Sequence, residues 1–201
     1  ELAEKYRFLH WELEFADVFA DRSGFDLVLG NPPWIKVEWN EGGVMGDVEP
    51  LFVLRSYSGP KLSQLRKELI DRYELRGSYL STYEEASAIQ SFLNAHQNYP
   101  LLEGQKVNLY RCFLLQAWKN TRNSGVSAFL HPEGIYDDPN ASNLRSAVYH
   151  RLAAHFQFQN ELKLFPIGNR NKFGINIHKN VNREKISFVH LSNLFTPVTI
   201  D

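Results

Sequence analysis

The sequence predicts an α/β fold, a mixed sheet with helices on both faces. Three observations predict it. An apolar run, Phe25-Asp26-Leu27-Val28-Leu29, is cut off by Gly30-Asn31-Pro32-Pro33-Trp34, the pattern of a buried parallel strand that ends in a stiff loop. A second run, Val126 to Leu130, ends in His131-Pro132-Glu133-Gly134. Around them, stretches of helical spacing and stretches of period two follow in the order strand–helix–strand–helix–strand–strand. At 201 residues the chain fits one domain with a sizeable core.

Taken in order, His10-Trp11-Glu12-Leu13-Glu14-Phe15 alternates polar and apolar and reads as a strand. Asp21 to Gly24 is the turn into the Phe25 strand. Residues 38–60, with Gly42, Gly43, Gly46, Pro50, Gly59 and Pro60, read as a loop insertion, either closing over a substrate or lying on the surface. Leu62, Leu65, Leu69, Ile70 and Tyr73 stand at helical spacing, and a second helix covers about 82–95. Lys106 to Asn120 is apolar on most sides, a buried helix in which Cys112 is a small core side chain. Asn108 at its start is a candidate cap. After the Val126 strand comes a helix at about 142–154, with Leu144, Val148 and Leu152 inward. His155–Asn160 and Phe173–His178 read as strands, and Ile186–Leu191 as an edge strand.

Composition narrows the class. The chain is 43% hydrophobic and 22% charged, and it contains no apolar stretch of the secretory h-region kind and no apolar run that could span a bilayer. One cysteine excludes an internal disulfide and a cysteine-rich zinc site, which fits a reducing cytoplasm. The net charge of −1 hides an asymmetry: residues 1–50 hold 11 acidic and 4 basic side chains, the remainder 12 and 18. Lys163, Arg170, Lys172, Lys179, Arg183 and Lys185 cluster late in the chain, either as a phosphate-contacting surface or as a solvated face.

The Asn31–Trp34 loop carries the chemistry. A residue before proline is driven to extended backbone, and the two prolines fix φ and remove donors, so the loop is a rigid bracket. It stands at the carboxyl end of a strand, where open α/β sheets place ligands. The Asn31 side-chain oxygen and the Pro32 carbonyl are adjacent acceptors. Together they suit the two hydrogens of an exocyclic amine, drawing its lone pair out of ring conjugation. Trp34 adds a flat plate on which a ring can stack.

Asn-Pro-Pro-Trp behind Phe-Asp-Leu-Val-Leu-Gly resembles the catalytic motif of adenine-N6 DNA methyltransferases. Trp11 to Phe19 and Ile35-Lys36-Val37 resemble the type IIG restriction-modification and phage-defence branch. The resemblance covers about Trp11 to Lys179 and implies a Rossmann-like methyltransferase sheet. It implies S-adenosylmethionine as cofactor, double-stranded DNA as partner, and a catalytic set of Asn31, Pro32, Pro33 and Trp34. Asp17, Asn31 and Asn108 match cofactor-binding positions, against a surface carboxylate for Asp17 and a helix cap for Asn108. Phe165 matches an aromatic that stacks with Trp34 on an extruded base, against core packing. Arg170 and Lys172 would meet the DNA backbone. His131 is read as structural, since the chemistry needs no imidazole, and no metal is implied.

The resemblance also implies something upstream. Only 30 residues precede Asn31, and among them Gly24 and Gly30 are the sole glycines, so no glycine-rich cofactor loop is present. Residues 1–201 are therefore expected to be the second half of a methyltransferase domain, without its cofactor-loop half and target-recognition domain. Alone it is expected to be inactive and not to bind S-adenosylmethionine. The Phe25 strand is expected either to self-associate or to be covered by residues 8–19. Three other readings stand beside this one: a protein glutamine-N5 methyltransferase, a non-catalytic DNA-binding half-domain, and an interaction subunit whose partner supplies the cofactor half. Calorimetric titration with S-adenosylmethionine separates an intact enzyme from the last two.

Overall fold

A computed structural model describes residues 4, 6–55 and 57–200. Its centre is a five-stranded mixed sheet in the order β1-β2-β4-β3-β5. The strands are β1 (Phe25–Gly30), β2 (Thr121–Pro132), β3 (Leu152–Gln159), β4 (Lys172–Lys179) and β5 (Val189–Leu194). β1 runs parallel to β2, and β5 parallel to β3, while β4 runs antiparallel between β2 and β3. Four strands therefore share one direction and β4 opposes them. With its crossover helices this is a partial Rossmann-like α/β sheet.

The crossovers are α7 (Leu109–Asn120), which leads into β2, and α8 (Ser142–Arg151), which leads into β3. Both pack on one face: Leu114, Ala117, Leu144 and Val148 join Val28 and Phe129 in the main core. The opposite face carries Leu27, Leu29, Ala128, Ile175, Ile177 and Phe156 by strand alternation. Helix α1 (Trp11–Glu14) and helix α2 (Ala16–Arg22) meet the strand at Phe25, whose ring lies 5.2–5.9 Å from Trp11, Phe15 and Phe19. Leu27 and Leu29 stay 58% and 76% exposed. Helices thus occupy both faces, but unequally.

Several local expectations change. Residues 11–14 are helical rather than extended, because Trp11 and Phe15 stack one turn apart and both rings land on Phe25. The Phe25 strand is not buried on both faces: among the described residues β1 pairs only with β2, and residues 11–19 cover only its start. Gly24, at φ +131°, brings β1 beside the end of α7, where a Cβ would stand 2.6 Å from the Asn120 carbonyl.

The 38–60 stretch holds two short helices, α3 (Glu41–Gly46) and α4 (Leu51–Leu54), ahead of α5 (Gly59–Arg72) and α6 (Arg76–Asn94). Met45, Phe52 and Leu69 give this helical region a small core of its own. Arg66 and Tyr79 both bond Glu41, and Arg66 holds its carboxyl below the usual range. Helix α7 begins at Leu109 rather than Lys106, because Val107 and Leu109 hydrogen-bond back to Val37 and Ile35. The last strand lies three residues later than expected, at the sheet edge. Among the described residues no helix is long and apolar enough to cross a membrane.

Candidate active site

The bracket leaves β1 at Gly30 and is fixed from two sides. Pro32 is buried, and the Trp34 Nε1–H donates to the Leu130 carbonyl at 3.2 Å, tying the loop to the end of β2. Beyond it Ile35–Val37 pairs with Val107–Leu109 through the Leu109 N–H to Ile35 O (2.9 Å) and the Val37 N–H to Val107 O (3.2 Å). Gln90 of α6 donates to the Val37 carbonyl at 2.7 Å. What this rigid frame presents is Asn31, exposed. Neither its side chain nor the Pro32 carbonyl has a hydrogen-bond partner among the described residues.

Asn31, Pro32 and Pro33 line two cavities at once. The larger, about 700 Å³, lies between β1, α7 and the end of α6, with Trp11, Leu93, Tyr99, Phe113 and Phe129 in its mainly apolar wall. The smaller, about 240 Å³, is closed by Trp34, Phe165, Pro166 and Ile167. The bracket is the partition between them.

Trp34 and Phe165, distant in sequence, are brought together with ring centroids 5.1 Å apart and planes tilted by 44°. Both also rest on the core around Phe158 and Phe173. A base stacked between two rings needs about 7 Å, twice the carbon contact distance. At 5.1 Å, Trp34 and Phe165 leave no room for a flat ring between them unless Phe165 swings away.

The other candidates sit farther out. Asn108 flanks the bracket through its pairing with Lys36, and it precedes α7. Its side chain makes no capping bond, and its buried Oδ1 has no partner among the described residues, so the cap reading fails. Asp17 lies exposed in the first turn of α2 and lines neither cavity. Arg170 and Lys172 are exposed where the 163–172 loop enters β4.

His131 is fully buried and stacks on Tyr110 at 4.9 Å. Its Nδ1 faces the Pro132 carbonyl at 2.8 Å and so carries the proton, and burial pulls its pKa down to about 4. It lines neither cavity. Among the described residues no three metal-ligating side chains cluster. Burial pushes the Cys112 thiol up to about 11, which leaves it unreactive.

Sequence reasoning missed a buried polar support behind the site. The Glu133 carboxylate accepts from His155 Nε2 and Gln157 Nε2, each at 3.0 Å, across the face of β4 at Gly174. A Cβ on Gly174 would fall 2.4 Å from Glu133 Oε1 and 2.8 Å from His155 Nε2. Gly174→Ala is therefore expected to cost about 3 kcal/mol, overpacking plus lost buried hydrogen bonds, and to lower the melting temperature by roughly 10 °C. Calorimetry of the variant checks this, and an unchanged melting temperature would show that the site relaxes freely.

Residues 1–52 match the Eco57I restriction-modification methylase family. That match contains α1, α2, β1 and the whole bracket. No curated protein matches the chain. Among solved structures the chain is similar to a DrdV–DNA complex (TM-score 0.47, 13% identity, 91% of this chain and 16% of that chain). It is also similar to a nuclease-deletion mutant of the Type ISP restriction-modification enzyme LlaGI with a DNA substrate mimic (0.45, 15%, 84% and 12%). A third is a Listeria monocytogenes protein assigned to the class I S-adenosylmethionine-dependent methyltransferases (0.41, 10%, 88% and 40%). The chain spans no more than 40% of the length of any of these.

Proposed function

We propose that this chain contributes the target-base half of a DNA adenine-N6 methyltransferase acting in restriction-modification or phage defence. One observation carries the reading: Asn31, Pro32 and Pro33 form a wall common to two cavities. A methyl donor on one side and an amine acceptor on the other would meet across that wall. The match of residues 1–52 to a restriction-modification methylase family supports the same chemistry.

S-adenosylmethionine supplies an electrophilic methyl group. The larger cavity would hold its adenine and methyl portions against an apolar wall, with Asn31, Gln116 and Asn120 as polar groups. No carboxylate lines that cavity, so the ribose hydroxyls lack their expected partner among these residues. The target adenine leaves the duplex, at a cost of a few kcal/mol. Stacking on Trp34 and Phe165 offsets part of this, about 1–3 kcal/mol per base. Asn31 Oδ1 and the Pro32 carbonyl accept the two amine hydrogens, and the nitrogen lone pair turns towards the larger cavity. Holding the reactants in line is the main contribution to rate.

The test is transfer of labelled methyl from S-adenosylmethionine to duplex DNA by the full-length protein, followed by nucleoside digestion. Label in N6-methyladenine is the expected result. Label in cytosine, in a protein glutamine, or in neither would reject the reading. With 2-aminopurine at the target, Phe165→Ala and Trp34→Ala should each weaken base extrusion more than duplex binding, and unchanged fluorescence would return Phe165 to core packing.

A further inference from the structure

Asn160 lies at the end of β3, wholly buried, and spends its whole side chain on one loop. Its Oδ1 accepts the Phe165 N–H at 3.0 Å. Its Nδ2 donates to the Phe165 carbonyl and the Ile167 carbonyl, both at 3.0 Å, and lies 3.4 Å from the Gly168 carbonyl. One amide thus brackets Phe165 before and after its Cα. Its own N–H bonds the Asn171 carbonyl at 3.2 Å, closing the loop at its far end. Phe165, Pro166 and Ile167 are the outer wall of the smaller cavity.

We infer that Asn160 is a positioning residue for the target base, acting through Phe165; this rests on reading the smaller cavity as the base site. Phe165 must leave Trp34 to admit a base. With the loop backbone held by Asn160, that opening is a rotation of one side chain, and the wall around it keeps its place. Without the amide, the Ile167 carbonyl loses its donor, the Phe165 and Gly168 carbonyls keep only the N–H groups of Ile167 and Asn171, and the wall moves with the ring. A buried amide with all its bonds directed to one short backbone segment also rigidifies that segment.

The experiment measures binding of 2-aminopurine riboside, whose emission is quenched on stacking, in a double-mutant cycle. Asn160→Asp keeps the acceptor for the Phe165 N–H and removes the donor to the carbonyls. Phe165→Ala removes the ring. Each is expected to weaken binding about tenfold at pH 8, and the double variant no more than the worse single one, since both act on one wall. At pH 5 the introduced carboxyl, raised by burial, protonates and can donate again, so affinity should recover in Asn160→Asp and stay fixed in the parent. If Asn160→Asp does not fold at pH 8, Asn160→Ser, with one hydroxyl donor, takes its place in the cycle. Additive losses, or a parent-like affinity in the Asn160 variant, would overturn the positioning role alone. No binding to the parent, or no effect of Phe165→Ala, would instead overturn the base-site reading and this inference with it.

Discussion

Replacing Asn31 by alanine should lower methyl transfer by the full-length protein on the order of 100- to 1000-fold, the usual effect of deleting one preorganised polar group at a reacting centre. Duplex binding should change little, because Asn31 is a single exposed side chain on a partition and carries no charge for phosphate. The loss should fall on the rate constant at saturation rather than on the Michaelis constant, as for an interaction formed in the transition state. Asn31→Asp keeps an acceptor oxygen and should retain more activity than alanine. The bracket tolerates either change, since its shape comes from Pro32, Pro33 and the Trp34–Leu130 bond. A variant with alanine at 31 that turned over at the parental rate would remove Asn31 from the chemistry.

Acid should weaken the fold through two imidazoles. His131 and His178 are fully buried, and burial pulls their pKa values down to about 4 and about 3. Both nitrogens of His178, and Nε2 of His131, lack hydrogen-bond partners among the described residues, and at His131 burial outweighs the Pro132 carbonyl and Glu133, which favour the charged ring. Each is neutral when folded and takes up a proton on unfolding below its ordinary value near 6.5. Their full contribution to stability is therefore present above that value and declines as pH falls towards the folded values. Between pH 7 and pH 5 the two together should cost about 4 kcal/mol, at about 1.4 kcal/mol for each pKa unit. Denaturant unfolding at both pH values measures this. His178→Leu should flatten part of the dependence, and a pH-independent midpoint in the parent would contradict the buried-neutral assignment.

Much of the sheet was legible because its strands announce themselves locally. Phe25–Gly30 and Val126–Leu130 are apolar runs with abrupt ends, and Phe173–His178 alternates cleanly. Partner choice was not legible: nothing in the Phe173 run says that it opposes both neighbours in direction. Residues 11–14 misled because four residues satisfy both periods, and the decision came from Phe25, a tertiary contact. At the site, Asn31 and Trp34 stand out through two adjacent prolines. Asn160 does not, since it reads only as the last residue of the His155–Asn160 strand, and its importance lies in a loop that only folding brings back to it. Gly174 was equally silent, because the carboxylate above it comes from 41 positions earlier in the chain.

The pairing of Ile35–Val37 with Val107–Leu109 has an architectural consequence. The chain leaves the sheet and returns to it at two points that are hydrogen-bonded to each other, like a purse closed at its neck. Residues 93–102 on the return path are stitched into the main core through Leu93, Tyr99 and Leu102. The earlier helices instead pack on Met45, Phe52 and Leu69. Lengthening a closed excursion is thermodynamically gentle, about 0.6 kcal/mol for each doubling. Changes of length within α3 to α5 are thus expected to leave the neck, and the two acceptors beside it, in register, so long as Glu41 and the small core still meet Tyr79 of α6.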